Sequence, residues 1–259
     1  MIPVLLCLML AGGAPLQSEG SPSPPRTIVP VPSEEDRAAA AGWLDGRAWI
    51  KQHEDCVRIA RERSPRLVLL GDSITQSFGG PGRRTGQPGR AVIDALFPEM
   101  VIGNMGISGD RTQHLLWRIS NGALETGVDT TFMVAIGTNN IGHDRAADVA
   151  LGIQAIIGVI RDRRPDCPIL LSPVLPRGHQ PDDPGRLSAE EINRLIRPLA
   201  EDPMVHWIEC PELMQGDRLA PGCHAGDGLH LAVAGYEAWG GAIRRTYRAA
   251  RSRQTRPSG

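Results

Sequence analysis

Five short apolar runs, separated by longer helical patterns, constrain this chain more than any other feature. Arg66–Leu70 (RLVLL) is a continuous apolar run, as expected for a strand buried on both faces. Val101–Ile102 with Gly103 and Asn104 reads as a second, weaker strand, Thr130–Ile136 as a third, Pro168–Leu171 as a fourth and Val205–Glu209 as a fifth. Between them, Asp144–Arg164 places Val149, Ile153, Ile156, Ile157 and Ile160 on one helical stripe. Ser188–Ala200 opens with Ser-Ala-Glu-Glu, a capping-box signature, and Ala232–Ala249 reads as a closing helix. Strands alternating with helices predict a parallel sheet covered on both faces. Right-handed crossovers then leave a doubly wound, flavodoxin-like sheet or a Rossmann relative.

Charge narrows the partners. The 259 residues carry 28 basic and 29 acidic side chains, a net charge of −1, whereas binding nucleic acid by bulk charge calls for a basic face. With 41% hydrophobic and 22% charged residues, the composition suits a globular domain that needs no disulfide staples. The apolar run Ile2–Ala14 is too short for a membrane span, which takes ~20 residues; it reads as the core of a signal peptide. The expected organisation is a signal peptide over 1–20, a flexible Ser/Pro/Glu-rich linker over 21–40, a folded domain over 41–250 and a basic disordered tail over 251–259. A secreted or periplasmic location follows from that signal, and a cytoplasmic one if the run is not a signal. Beyond Cys7, the cysteines are Cys56, Cys167, Cys210 and Cys223. Export would permit a Cys210–Cys223 staple, against which stands the reading of buried thiols.

In open α/β sheets, ligands bind beyond the carboxyl ends of the strands. Four segments fall there: Gly71-Asp72-Ser73, Asn104 through Asp110, Gly137-Thr138-Asn139-Asn140, and Asp227-Gly228-Leu229-His230. Together they compose one kind of site. Ser73 on a tight strand-to-helix turn presents a hydroxyl, His230 can take its proton, and Asp227 can hold the other imidazole nitrogen. The backbone N–H groups of Ser73 and Gly109 and the side-chain amide of Asn139 are the candidate oxyanion donors. Other chemistries lack their signatures. The chain has no G-x-S-x-G elbow, no G-x-G-x-x-G after a strand and no Walker A loop. None of His53, His114, His143, His179, His206, His224 and His230 pairs as H-x-x-x-H, and no C-x-x-C is present. No cofactor or metal is expected.

These four blocks resemble those of the SGNH, or GDSL-type, hydrolases, whose blocks carry Ser, Gly, Asn and His. GISGDRTQHLLWRISNGALE at 106–125, Arg47-Ala48-Trp49 with His53, and Leu175-Pro176-Arg177-Gly178 are similar to the platelet-activating-factor acetylhydrolase catalytic-subunit branch of that family. The resemblance covers about 45–250. It implies a three-layer α/β/α fold on a five-stranded parallel, flavodoxin-like sheet, and metal-free hydrolysis of small-molecule or glycan esters. It also implies an acyl-enzyme on Ser73. The expected export and the small, polar, basic loop Gly79–Gly89 add short acyl groups on carbohydrates or lipids as the expected substrates. The loop Gly79–Gly89 (GGPGRRTGQPG) departs from that branch, and with it the substrate pocket. A non-catalytic carbohydrate-binding or scaffold protein, a flavin-binding flavodoxin-like protein and a lipase-like enzyme for longer chains are the competing readings.

Overall fold

The computed structural model describes residues 23–35, 48–80 and 87–254. Five parallel strands form the central sheet: β1 (Leu67–Gly71), β2 (Ile102–Gly106), β3 (Thr131–Ala135), β4 (Ile169–Leu171) and β5 (Val205–Trp207). Their order is β2-β1-β3-β4-β5, with all neighbours parallel, which is the flavodoxin-like alternative. The helices are α1 (Trp49–Arg63), α2 (Ser73–Gln76), α3 (Arg90–Leu96), α4 (Thr112–Ser120), α5 (Ala146–Arg163), α6 (Pro184–Ile196) and α7 (Val233–Gln254). A short antiparallel hairpin, β6 (Met214–Gln215) with β7 (Arg218–Leu219), precedes the last motif.

The two-residue period of the strands builds two cores. Val68, Leu70, Phe132, Val134, Ile169 and Leu171 face one side, where residues of α1, α4, α5 and α6 complete the cluster. Leu67, Leu69, Met133 and Leu170 face the other, against Ile74, Val92 and Ile93 and the α7 residues Tyr236, Trp239 and Ile243. Strand order reverses between β1 and β3, so a crevice opens beyond their carboxyl ends.

Several expected boundaries move. β2 continues through Met105 to Gly106, because Gly106 pairs with Gly71 of β1. A Cβ on Gly106 would lie 2.3 Å from the Gln76 nitrogen, so only glycine lets α2 pack so close. α6 does not start at Ser188. The Asp183 carboxylate accepts from the N–H of Gly185 and Arg186 at 2.8 and 3.3 Å, with Pro184 in the first turn, and this earlier cap outcompetes the Ser-Ala-Glu-Glu box. After Ile196 the chain tightens into a 3₁₀ turn over Arg197–Glu201. α7 runs on to Gln254, with Arg251 paired to Asp129, so the basic stretch starts as helix; 255–259 lie outside the described residues.

The segment read as linker is docked over 23–35. Thr27 is fully buried and its hydroxyl donates to the Asp148 carbonyl at 2.6 Å, while Arg26 grips the Asp144 carboxylate at 2.6 and 3.1 Å. Its seat is Gly152 of α5, where a Cβ would lie 2.8 Å from the Thr27 carbonyl oxygen and 2.6 Å from Thr112 Oγ1. Cys56, Cys167, Cys210 and Cys223 are all free thiols, so the Cys210–Cys223 staple is not formed; burial pushes the Cys210 thiol up to about 12. The expected signal peptide lies outside the described residues. Among those described, no helix is long and apolar enough to cross a membrane.

Two glycines of the same helix separate packing from propensity. Gly152→Ala is expected to destabilise by ~1–3 kcal/mol, because the added methyl must push on Thr112 and the Thr27 backbone. Nothing lies within 4 Å of a Cβ on Gly158, so Gly158→Ala is expected to stabilise by ~0.8–1 kcal/mol through helix propensity alone. Urea unfolding of both variants checks the opposite signs.

Candidate active site

The four predicted segments converge on the crevice. Ser73 opens α2, directly after β1, and its Oγ lies 3.0 Å from His230 Nε2. His230 Nδ1 lies 2.6 Å from Asp227 Oδ2. Asp227 also shapes the turn, since its Oδ1 accepts the N–H groups of Leu229 and His230, each at 3.0 Å. Gly228 within that turn has φ +63°, and a Cβ there would meet the His179 ring at 2.9 Å. A side chain at 228 would therefore be strained and would displace the turn. Burial raises the Asp227 carboxyl, but the His230 ring and the two backbone N–H groups outweigh it and hold it down at about 2. It is thus a carboxylate throughout the range in which histidines titrate.

The Gly109 and Asn139 side of the crevice is equally built. Gly109 has φ +79°, a left-handed backbone that brings the main chain to the crevice without a side chain in the way. Asn139 sits in a 3₁₀ turn over Thr138–Asn140 that follows β3, and its Nδ2 donates to the Asp110 carbonyl at 3.0 Å. The structure therefore gathers Ser73, Asp227 and His230 in one hydrogen-bonded line and links Asn139 to the Gly109-Asp110 turn. His143 is exposed; its N–H donates to the Asn140 carbonyl at 2.9 Å and its own carbonyl accepts from Arg26. Arg83 and Arg84 of the Gly79–Gly89 loop lie outside the described residues.

Several residues that were given no role in the sequence support the site. Asp110 and Arg118 form an ion pair at 2.6 Å with both side chains fully buried. Trp49 Nε1 donates to the other Asp110 oxygen at 2.6 Å, and Arg118 reaches the Met105 carbonyl. Asn104 Nδ2 spans the carbonyls of Thr75, Gln76 and Gly79 at 3.0, 3.1 and 2.9 Å, which ties the turn after Ser73 to β2. Tyr236 Oη adds a bond to the Ile74 carbonyl at 2.8 Å. Trp49, Asp110 and Arg118 all lie in the stretches that resembled one branch of the family; Asp110 also closed a strand-end block, while for Trp49 and Arg118 the likeness was the only signal.

Asp72 is buried beneath the nucleophile turn, with Oδ1 accepting the Ile74 N–H at 3.0 Å. Burial, and secondarily the nearby Asp110 charge, push its carboxyl up to about 7 against the Ile74 bond and His230. The folded protein then holds a proton that the unfolded chain gives up in the ordinary carboxylate range, so the Asp72 contribution to stability falls as pH rises from about 4 to about 7. Asp72→Asn keeps an acceptor for the Ile74 N–H and removes the titration. Its unfolding free energy is expected to rise more, or fall less, with pH over that window than the wild type's; equal slopes in urea titrations at each pH would overturn the assignment.

Comparison with known proteins supplies the affiliation. The GDSL-like Lipase/Acylhydrolase family matches residues 69–238. The chain is 34% identical over 194 residues to the platelet-activating factor acetylhydrolase IB subunit alpha1 of Homo sapiens, covering 74% of this chain and 79% of that protein. It is 32% identical over 193 residues to the alpha2 subunit of Mus musculus, covering 73% and 78%. Among solved structures, a GDSL-like lipase from Bacteroides thetaiotaomicron superposes with a TM-score of 0.59 at 16% identity, covering 79% of this chain and 97% of that one. A catalytic mutant of an acetylxylan esterase from Geobacillus stearothermophilus gives 0.58 at 19% identity, covering 70% and 93%; both likenesses speak to the fold. This chain belongs to the GDSL-like lipase/acylhydrolase family and is a carboxylic ester hydrolase.

Proposed function

We propose that the chain hydrolyses short-chain acyl esters of a carbohydrate or lipid alcohol through an acyl-enzyme on Ser73. The observation that carries this reading is the hydrogen-bonded line Ser73 Oγ–His230 Nε2–Asp227, at 3.0 and 2.6 Å. His230 Nε2 accepts the hydroxyl proton as Oγ attacks the ester carbonyl. The tetrahedral oxyanion is received by the N–H groups of Ser73 and Gly109 and by the Asn139 amide. Collapse breaks the C–O bond to the alcohol, which leaves with the proton held by His230. Water then attacks the acyl-Ser73 ester by the same route and releases the acid. Asp227 keeps the imidazole oriented and offsets its charge while it holds the proton.

Two observations support a short acyl group. The Gly79–Gly89 loop that follows Ser73 is small, polar and basic in sequence, with little apolar area to hold a long chain. The names of the relatives, an acetylhydrolase subunit and an acetylxylan esterase, both speak of acetyl groups. Those two names differ in the alcohol, lipid in one and sugar in the other, and the alcohol is therefore what the assay must vary.

Ser73→Ala is expected to lower ester turnover by several orders of magnitude, leaving a residual rate ~10³-fold over water from binding and oxyanion donors. A fluorophosphonate probe should label the wild type and not the variant; equal labelling would remove Ser73 from the mechanism. For acyl length, each buried methylene is worth ~0.8 kcal/mol, so a true acyl channel would raise kcat/KM as the chain grows. We expect acetyl and propionyl p-nitrophenyl esters to be preferred, and acetylated sugars or acetyl-glycerophospholipids to distinguish the alcohol. A maximum at octanoyl or beyond would make the enzyme lipase-like.

A further inference from the structure

The turn that carries Asn139 is held from outside the family-matched region. That region begins at residue 69, yet the docked segment 23–35 reaches the turn by two routes. In the first, Glu35 Oε1 lies 3.2 Å from Arg111 Nη2, and Arg111 Nε donates to the Asn139 carbonyl at 3.1 Å. In the second, Arg26 holds the Asp144 carboxylate at 2.6 and 3.1 Å, and Asp144 accepts Asn140 Nδ2 at 3.0 Å. Between these routes, the Val31 N–H donates to the Gln113 carbonyl at 3.4 Å, and the Gln113 side chain accepts Asn140 Nδ2 at 3.1 Å.

Arg111 stands at the centre of this frame. Its side chain is only 16% exposed, and its fork faces two ways, toward a main-chain carbonyl and toward a carboxylate. A guanidinium does this where a lysine ammonium does not, because its N–H groups are fixed in one plane. Holding the Asn139 carbonyl fixes the plane of the peptide and the base of the side chain. An oxyanion donor depends on such fixing, since its advantage over water is that it does not reorganise during the reaction, and misplacement by ~1 Å costs ~10²-fold in rate.

We infer that Arg111 is a positioning residue for Asn139, and that the segment Arg26–Glu35 is a strap that locks Arg111 and the Asn139 turn into the working geometry. The inference rests on the proposed reading of Asn139 as an oxyanion donor. The strap contacts no ester; it acts through the turn. Glu35 serves Arg111, and Thr27 anchors the strap in the seat over Gly152.

The test is a double-mutant cycle on the full chain with p-nitrophenyl acetate. Arg111→Ala is expected to lower kcat by about 3- to 30-fold, the range in which residues act through a neighbour, with KM nearly unchanged and with Arg111→Lys in between. In an Asn139→Ala background the same Arg111 substitution should cost less than about twofold, because the group it positions is gone. Glu35→Gln, which leaves the core intact, should lower kcat in the presence of Arg111 and not in Arg111→Ala. An equal Arg111 effect in both backgrounds, or an effect confined to KM, overturns the inference. Asn139→Ala with unchanged kcat, while Ser73→Ala abolishes turnover, overturns the oxyanion assignment and the strap's role with it. Loss of turnover in Asn139→Ala with none in Arg111→Ala or Glu35→Gln overturns the strap alone.

Discussion

The buried ion pair between Asp110 and Arg118 is the contact on which the site side of the molecule depends. Both side chains are out of water altogether, and two charges so placed are tolerated only when their hydrogen-bonding groups find partners. Asp110 uses one oxygen for Arg118 and the other for Trp49, and Arg118 spends a second nitrogen on the Met105 carbonyl. One pair thus fastens α1, the end of β2, the Gly109 turn and α4 to one another. The Asp110 carbonyl meanwhile accepts from Asn139. A pair of this kind adds little net stability over an apolar replacement, but removing one partner costs ~3–5 kcal/mol. Its service is to fix the geometry of Gly109.

The nucleophile side is organised differently. The Asp227 and His230 side chains are 49% and 40% exposed, so their alignment comes from a local turn and not from enclosure. Asp227 caps the turn with one oxygen and holds the ring with the other, and Gly228, at φ +63°, gives the turn its left-handed backbone. The two halves of the site follow two strategies. Buried charge fixes the Gly109 and Asn139 side, and a short exposed loop presents His230.

Much of this was legible in the sequence, and the reason is local. RLVLL and TTFMVAI are apolar on both faces, which only a central parallel strand requires, and the strand-end blocks followed from their position. What escaped depends on distant partners. The Asp183-Pro184 cap and the Ser-Ala-Glu-Glu box are both valid helix starts, and the choice between them is not written in either. Gly106 looks like a turn residue until the Gln76 backbone is seen against it. The Pro- and Ser-rich stretch around Thr27 has the composition of a linker, and its seat is made by Gly152 on a helix far along the chain. Arg118 on α4 fell only within the stretch similar to one branch of the family, with nothing in its neighbours to say that it is buried.

The partners of the central hydrogen bond, Ser73 and His230, are 157 residues apart, and this separation has a consequence in time. The serine emerges on the first strand, while the base follows all five strands of the sheet. Contacts across such a span form late in folding, since the closure entropy of the intervening chain must be met first. During synthesis at ~5–20 residues per second, Ser73 is made roughly 8–30 s before the His230 it pairs with. In the proposed reading, hydrolytic competence therefore arrives with the docking of α7 and the loop that leads into it, after the sheet that carries Ser73.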